Sequence, residues 1–177
     1  TNRVRSDEGL AYSAYSFMPG GTYYPLTFVA GYQSKSGTVA YAAQIVLEEL
    51  RRIAVEPVTD KEMVTAKSSY IQTFPQTFET KGKVAATFAD EEFTGRGARN
   101  PAHFKEYRAK FAAVTKADVQ RVAKKYLTPD KVVILIVGDK DVILKGHPDH
   151  PVNFDSLARG GLKDVPLRDP LTMQPLK

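Results

Sequence analysis

Apolar residues at helical spacing dominate the middle of the chain. After Ser36, one face carries apolar side chains at alternating intervals of four and three residues, which predicts a helix with one buried side; these are Val39, Ala43, Val46, Leu50 and Ile53. Further helices are predicted from the capping-box pairs Thr59 with Glu62 and Thr115 with Asp118, from about Thr80 to Glu92, and after Asn100-Pro101. The Gly95-Arg96-Gly97 sequence predicts a break after the helix at about Thr80 to Glu92.

Strand patterns occur at both ends of this helical region. Residues 9–17 and 23–32 are rich in small and aromatic side chains and flank the turn signal Pro19-Gly20-Gly21, which predicts a hairpin or meander. The β-branched run Val132 to Val137 predicts a strand that is buried on both faces. Together these elements predict an α+β fold in which helices pack on one face of an antiparallel-rich mixed sheet.

The C-terminal segment differs from the rest of the chain in its proline content. Five of the eleven prolines follow Lys145: Pro148, Pro151, Pro166, Pro170 and Pro175. Little regular structure is therefore expected there, and only residues 142–144 indicate a short strand. We expect one structured domain at 1–139 and a Pro-rich tail at 140–177.

Composition excludes several classes of site. The chain of 177 residues has no cysteine, so disulfides, thiolate zinc sites, iron–sulfur clusters and cysteine nucleophiles are excluded. Its longest apolar run is too short to cross a bilayer, so no membrane span is expected. The net charge of +5 raises the possibility of nucleic-acid binding, but the basic residues are spread among acids along the helices, which disfavours it.

Familiar catalytic motifs are missing from the sequence. Neither H-E-x-x-H nor H-x-x-E-H occurs, and there is no G-x-S-x-G elbow or phosphate-binding loop. The close pair His147 and His150 lies in the Pro-rich tail, where we expect solvated side chains instead of metal ligands, and His103 is expected at the surface near a helix start. No freestanding active site is visible.

One polar pair near the N-terminus could address a single carbonyl oxygen. Arg5 offers a forked and permanently charged donor, and Tyr12, seven residues later, offers a neutral phenol at the start of a strand. From the residues alone, an arginine at a helix end and a tyrosine packed on a sheet explain the same pattern.

Four sequence elements, in order, resemble the second, non-catalytic domain of the pitrilysin/insulinase-type zinc peptidases. The resemblance extends over about residues 3 to 139. Its elements are Arg5-x-x-x-Gly9-Leu10-Ala11-Tyr12-Ser13, Thr59-x-x-Glu62-x-x-x-Ala66-Lys67, Phe78-Glu79-Thr80 leading to Gly95, and Val114-Thr115-x-x-Asp118-Val119 continuing through Tyr126 into VVILIVGD.

The resemblance implies a role for the polar pair. In such peptidases the second domain supplies an arginine and a tyrosine that reach the substrate bound at a zinc ion on the first domain, and Arg5 and Tyr12 match that pair. The zinc and the H-x-x-E-H motif would belong to a partner domain or subunit, peptide substrates would bind between the two, and this chain would hold no zinc and be inactive alone. The same resemblance suggests a periplasmic location.

The chain also departs from a complete domain of this family. A complete domain has a first strand and a helix before the arginine, so the region 1–139 is expected to lack both. The alternative function is a structural or assembly module, because the same fold occurs in respiratory-complex proteins that have lost proteolysis.

Overall fold

The computed structural model describes residues 3–18, 20, 21, 23–157 and 160–176. Its strands are β1 (Ala11–Phe17) and β2 (Val29–Ser34). Its helices are α1 (Val39–Val55), α2 (Asp60–Thr73), α3 (Lys81–Phe93), α4 (Arg96–Arg99), α5 (His103–Ala113), α6 (Lys116–Tyr126), α7 (Lys140–Lys145) and α8 (Phe154–Leu157). A π-helical turn spans Arg3–Asp7, and short 3-10 turns cover Ser36–Thr38, Phe74–Phe78 and Pro129–Lys131. The predicted α+β class is confirmed. None of the described helices is both long and apolar enough to cross a bilayer.

Two compact units divide the chain, and their boundary falls within α1. The first unit comprises Thr1–Phe17, Val29–Glu48 and Val132–Lys177, and the second comprises Met18–Phe28 and Glu49–Lys131. The predicted division into a domain at 1–139 and a tail at 140–177 stays a prediction.

In the first unit, the hairpin packs on the N-terminal half of α1. β1 and β2 pair antiparallel, as predicted, although β2 begins at Val29 and the predicted turn residue Pro19 lies outside the described residues. The core cluster joins the π-helical turn, β1 and α1 through Val4, Leu10, Ala11, Ala42 and Ile45. The Tyr32 hydroxyl donates a 2.9 Å hydrogen bond to the carbonyl of Val39, and burial raises the pKa of Tyr32 to about 12. This contact joins β2 to the start of α1.

In the second unit, aromatic rings pack α2 against α5. Tyr70 stacks on Phe111 with centroids 4.6 Å apart, and Phe74 stacks on Tyr107 at 4.3 Å. α2 ends at Thr73, just before the 3-10 turn that contains Pro75, a residue that interrupts helices. Both predicted capping boxes are present, at Thr59 and at Thr115.

Two predicted strands are wrong. The described residues 132–137 belong to no sheet, and Val133, Leu135 and Val137 are exposed instead of buried. No neighbouring strand pairs with this run in the described part of the chain, because β1 and β2 pair only with each other. Residues 142–144 lie in α7, since the Asp139 side chain caps that helix by accepting hydrogen bonds from the backbone amides of Asp141 and Val142.

The predicted break at Gly95 is only partly correct. Gly95 has a left-handed backbone with φ of 64°, which ends α3, but the next four residues form the short helix α4. The Arg99 guanidinium donates to the Thr94 carbonyl at 2.9 Å and stabilises this turn. Beyond α7, the described residues have little regular structure, as predicted, with α8 and two isolated β-bridges.

The capping box at the start of α2 makes its stability depend on pH. Glu62 accepts hydrogen bonds from the Thr59 amide at 2.7 Å and the Thr59 hydroxyl at 2.8 Å. These bonds, with a smaller contribution from Arg52, hold the pKa of Glu62 below its ordinary value of 4.5. Because the folded pKa is lowered, this stabilisation is complete above the ordinary value and is lost as the pH falls through the lower folded value.

Thr59→Ala is therefore expected to destabilise the protein by about 0.5–2 kcal/mol at neutral pH, because the N-cap hydroxyl is lost. The difference in free energy of unfolding between Thr59→Ala and wild type should become smaller in acid, where Glu62 is protonated in both proteins. Urea unfolding at neutral and acidic pH measures both effects. Thr65→Ala, an exposed threonine inside the same helix, is the control and should be neutral or slightly stabilising. An equal loss of stability in both variants would contradict the capping explanation.

Candidate functional site

Tyr12 lies at an irregularity in the hairpin. Ala11 pairs with Ser34 and Ser13 pairs with Gln33, so Tyr12 is an extra residue in β1 without a partner in β2. Such a bulge redirects a side chain locally and is common beside active sites. The Tyr12 side chain is 87% exposed, which leaves its phenol available to a molecule outside the unit.

Arg5 lies in the π-helical turn that precedes β1. Val4 and Leu10, on either side of it in sequence, are buried in the core, and they anchor the turn while Arg5 is exposed. Gly9 has φ of 61° and joins the turn to β1 in a left-handed conformation that other residues rarely adopt. No carboxylate among the described side chains pairs with Arg5.

The structure places both predicted site residues in the first unit and leaves both side chains exposed. Within the described residues they share no hydrogen bond, and neither is held by an ion pair. Arg5 and Tyr12 therefore have free donors on two adjacent, core-anchored elements. By their chemistry, a guanidinium and a phenol can each donate a hydrogen bond to a carbonyl oxygen or an oxyanion.

Two further exposed aromatic residues lie along β1, and the sequence analysis missed them. Tyr15 and Phe17 have ring centroids 6.1 Å apart, and both rings are about half exposed. The Tyr15 ring lies over Gly31, where a Cβ atom would approach it to 2.6 Å. Two aromatic residues two positions apart in a strand share a face, and this spacing is the signal that could have identified them.

The histidine pair of the C-terminal segment was predicted to be solvated, but the structure packs both rings against neighbouring residues. His147 and His150 are half-buried, and the His150 ring stacks on Tyr41 with centroids 4.3 Å apart. The backbone amide of Asp149 donates to His147 Nδ1 at 3.2 Å, which occupies one ring nitrogen. Across the described residues, no group of three or more His, Cys, Asp or Glu side chains is arranged to hold a metal ion.

A separate cavity of about 400 Å³ lies in the second unit. Phe74, Phe104 and Tyr107 line one wall, and His103, predicted at the surface, is half-buried in its lining. In the charged wall, Arg96 binds Asp90 at 2.6 Å and Glu91 at 3.0 Å. The cavity holds neither of the predicted site residues.

The N-terminal part of the chain matches a known protein family. Residues 1–70 match the family described as the peptidase M16 inactive domain, which confirms the resemblance to a non-catalytic peptidase domain. The match includes Arg5, Tyr12, the hairpin and the start of α2. No curated protein matches the chain.

A solved structure supports the same fold. The chain is similar to a protease from Helicobacter pylori, with 21% identity and a TM-score of 0.50. The similarity covers 72% of this chain and 30% of that protease, so this chain spans about a third of the length of its structural relative.

Proposed function

We propose that this chain is the zinc-free, substrate-binding half of a zinc metalloendopeptidase, because residues 1–70 match the peptidase M16 inactive domain. The observation that carries the proposal is the exposed Tyr12 phenol at the β1 bulge, inside the segment that matches the family. The catalytic zinc and the H-x-x-E-H motif would lie on a partner domain or subunit.

Arg5 and Tyr12 would act on the scissile carbonyl of a peptide held at the partner's zinc. A zinc ion held by the partner would activate a water for attack on the carbonyl carbon, and negative charge would then develop on the carbonyl oxygen. Donors that are already in place when this charge develops lower the barrier. The Tyr12 phenol would donate a hydrogen bond to the oxygen, and the Arg5 guanidinium would add a permanent positive charge.

The anchoring of both residues supports this role. The buried Val4 and Leu10 fix the turn that carries Arg5, and the adjacent buried Ala11 fixes the start of β1. The backbone that carries both donors is therefore fixed before substrate binds, which reduces the freedom lost on binding. The general base would be a glutamate of the partner, as the family resemblance implies.

Arg5→Ala is expected to lower kcat/KM of the complete protease by about tenfold to a hundredfold, the range for losing one charged hydrogen bond. Arg5→Lys should recover only part of the loss, since lysine keeps the charge but not the forked geometry. Steady-state cleavage of a fluorogenic peptide measures these effects. Arg121→Ala, an exposed arginine on α6, is the control and should leave kcat/KM unchanged. Unchanged cleavage by Arg5→Ala would remove Arg5 from the proposal.

A further inference from the structure

A buried acidic residue lines the cavity of the second unit. Glu91, near the end of α3, is only 6% exposed, yet it is one of the residues that form the cavity wall. Within the described part of the chain its ion-pair partner is Arg96, whose Nε lies 3.0 Å from Oε1. No described residue donates a hydrogen bond to the other oxygen, Oε2. Because a carboxylate can accept about four hydrogen bonds, this buried group has unused acceptor capacity.

The charges on the cavity wall are also unbalanced. Among the described residues that line the cavity, Arg96 is the only lysine or arginine, and it binds Asp90 at 2.6 Å as well as Glu91. Two carboxylates and one guanidinium leave one negative charge on this wall at neutral pH. A largely buried charge is costly unless it is paired, so this wall favours a further cation.

Aromatic rings form another part of the same cavity. Phe74 stacks on Tyr107 with centroids 4.3 Å apart, and the Phe104 centroid lies 6.4 Å from that of Phe74. The His103 ring lies beside Phe104 at 5.1 Å, and its nitrogens make no hydrogen bond to a described residue. A neutral imidazole offers one acceptor nitrogen. The cavity therefore combines hydrogen-bond acceptors, a net negative charge and an apolar aromatic surface.

These features suit an organic ammonium ion better than a metal ion. The described residues contain no group of three or more His, Cys, Asp or Glu side chains arranged to hold a metal. An ammonium group donates three hydrogen bonds, which the free acceptors of Glu91 and His103 can receive, and aromatic rings attract cations. The volume of about 400 Å³ is within the range of small-molecule sites.

We propose that this cavity binds an ammonium group carried on an apolar body, with the ammonium at Glu91 and the body against Phe104 and Tyr107. A free amine and the side chain of a lysine in a peptide share this chemistry, so the test includes a probe for each. The proposal is independent of the proteolytic role of Arg5 and Tyr12, which lie in the first unit.

Isothermal titration calorimetry of the full chain tests the requirement for an ammonium group. Phenethylamine is positively charged at neutral pH, phenethyl alcohol is its neutral counterpart, and hydrocinnamate is an anion of similar shape. We expect phenethylamine to bind one site with a Kd of roughly 0.1–1 mM, and the other two to bind at least about tenfold more weakly. Tighter binding of Nα-acetyl-lysine amide than of phenethylamine would support the ammonium site and assign it to a peptide lysine.

Glu91→Gln tests the role of the buried carboxylate. The substitution keeps the shape and removes the charge, so we expect the Kd for phenethylamine to rise by about tenfold to a hundredfold. Glu92→Gln is the matched control, because the neighbouring glutamate is exposed and does not line the cavity, and its Kd should equal that of wild type. Circular dichroism checks that both variants are folded.

Filling the cavity provides a test that leaves the charges unchanged. Ala86 lies on α3 and lines the cavity, so Ala86→Leu should block the site and weaken binding by at least about tenfold. Ala85→Leu, on the same helix but outside the lining, is the control and should bind as wild type does. This pair of variants keeps the proposal testable if Glu91→Gln fails to fold.

Three results would overturn the proposal. Absence of binding by both phenethylamine and Nα-acetyl-lysine amide at millimolar concentration would show that the cavity is no ammonium site. Equal affinity for phenethyl alcohol would remove the requirement for charge. An unchanged Kd in folded Glu91→Gln and Ala86→Leu would place the ligand elsewhere. Binding is measured without peptide cleavage, so its failure is distinct from a failure of the proposed proteolytic function.

Discussion

Tyr12→Phe is expected to lower kcat of the complete protease by roughly a hundred- to a thousandfold, the loss observed when one oxyanion donor is removed. Phenylalanine keeps the ring and removes only the hydroxyl. Because the side chain is 87% exposed at the β1 bulge, its hydroxyl supports no core contact and the substitution should leave the fold intact. KM should change far less than kcat, since the phenol would act mainly on charge that develops in the transition state.

The matched control for Tyr12 is another exposed tyrosine far along the chain. Tyr126→Phe also removes only a phenol hydroxyl, at the end of α6 in the second unit, and should leave kcat unchanged. Thermal unfolding of both variants separates catalytic from structural effects. If Tyr12→Phe cleaved peptide at the wild-type rate, the phenol would have no catalytic part, and the alternative of a structural or assembly module with the same fold would be favoured.

Ile45→Ala is expected to destabilise the protein by about 2–5 kcal/mol, the range for removing a large aliphatic side chain from a core. Ile45 is fully buried in α1 and belongs to the cluster that includes Val4, Leu10 and Ala11. The substitution removes apolar contacts at the centre of this cluster and leaves a cavity between α1, the π-helical turn and β1. Urea unfolding gives the free energy directly.

The same substitution should also affect the site, because the cluster anchors both Arg5 and the start of β1. A folded Ile45→Ala variant is expected to show reduced kcat in the complete protease at temperatures well below its unfolding midpoint. Val55→Ala provides the control, since this valine is 68% exposed at the end of the same helix and should change stability by less than about 0.5 kcal/mol. Equal stability of the two variants would contradict the assignment of the core.

Local signals in the sequence predicted the helices well because helix starts depend on neighbouring residues. Thr59 and Glu62 form their capping box within four residues, and Thr115 with Asp118 does the same. No distant contact is needed to read these signals. α7 was not predicted, although Asp139 provides a local N-cap signal for it. The aliphatic residues 142–144 were interpreted as a strand instead.

Strand and site predictions depended on distant partners and were less complete. The composition of Val132–Val137 is that of a buried strand, yet burial requires neighbouring strands, which the described residues do not supply. Tyr12 was selected through the family resemblance, and its bulge could not be predicted because it is a mismatch in register between β1 and β2. The exposed pair Tyr15 and Phe17 was overlooked because strand aromatics are usually assigned to packing.

Peptide cleavage by separated and recombined halves tests the central claim most directly. Three samples would be compared at equal concentration, with their zinc content measured: this chain alone, the partner domain carrying H-x-x-E-H alone, and their mixture. We expect cleavage only in the mixture and zinc only with the partner domain. Full cleavage by the partner domain alone, or cleavage with one tightly bound zinc per copy by this chain alone, would contradict the account.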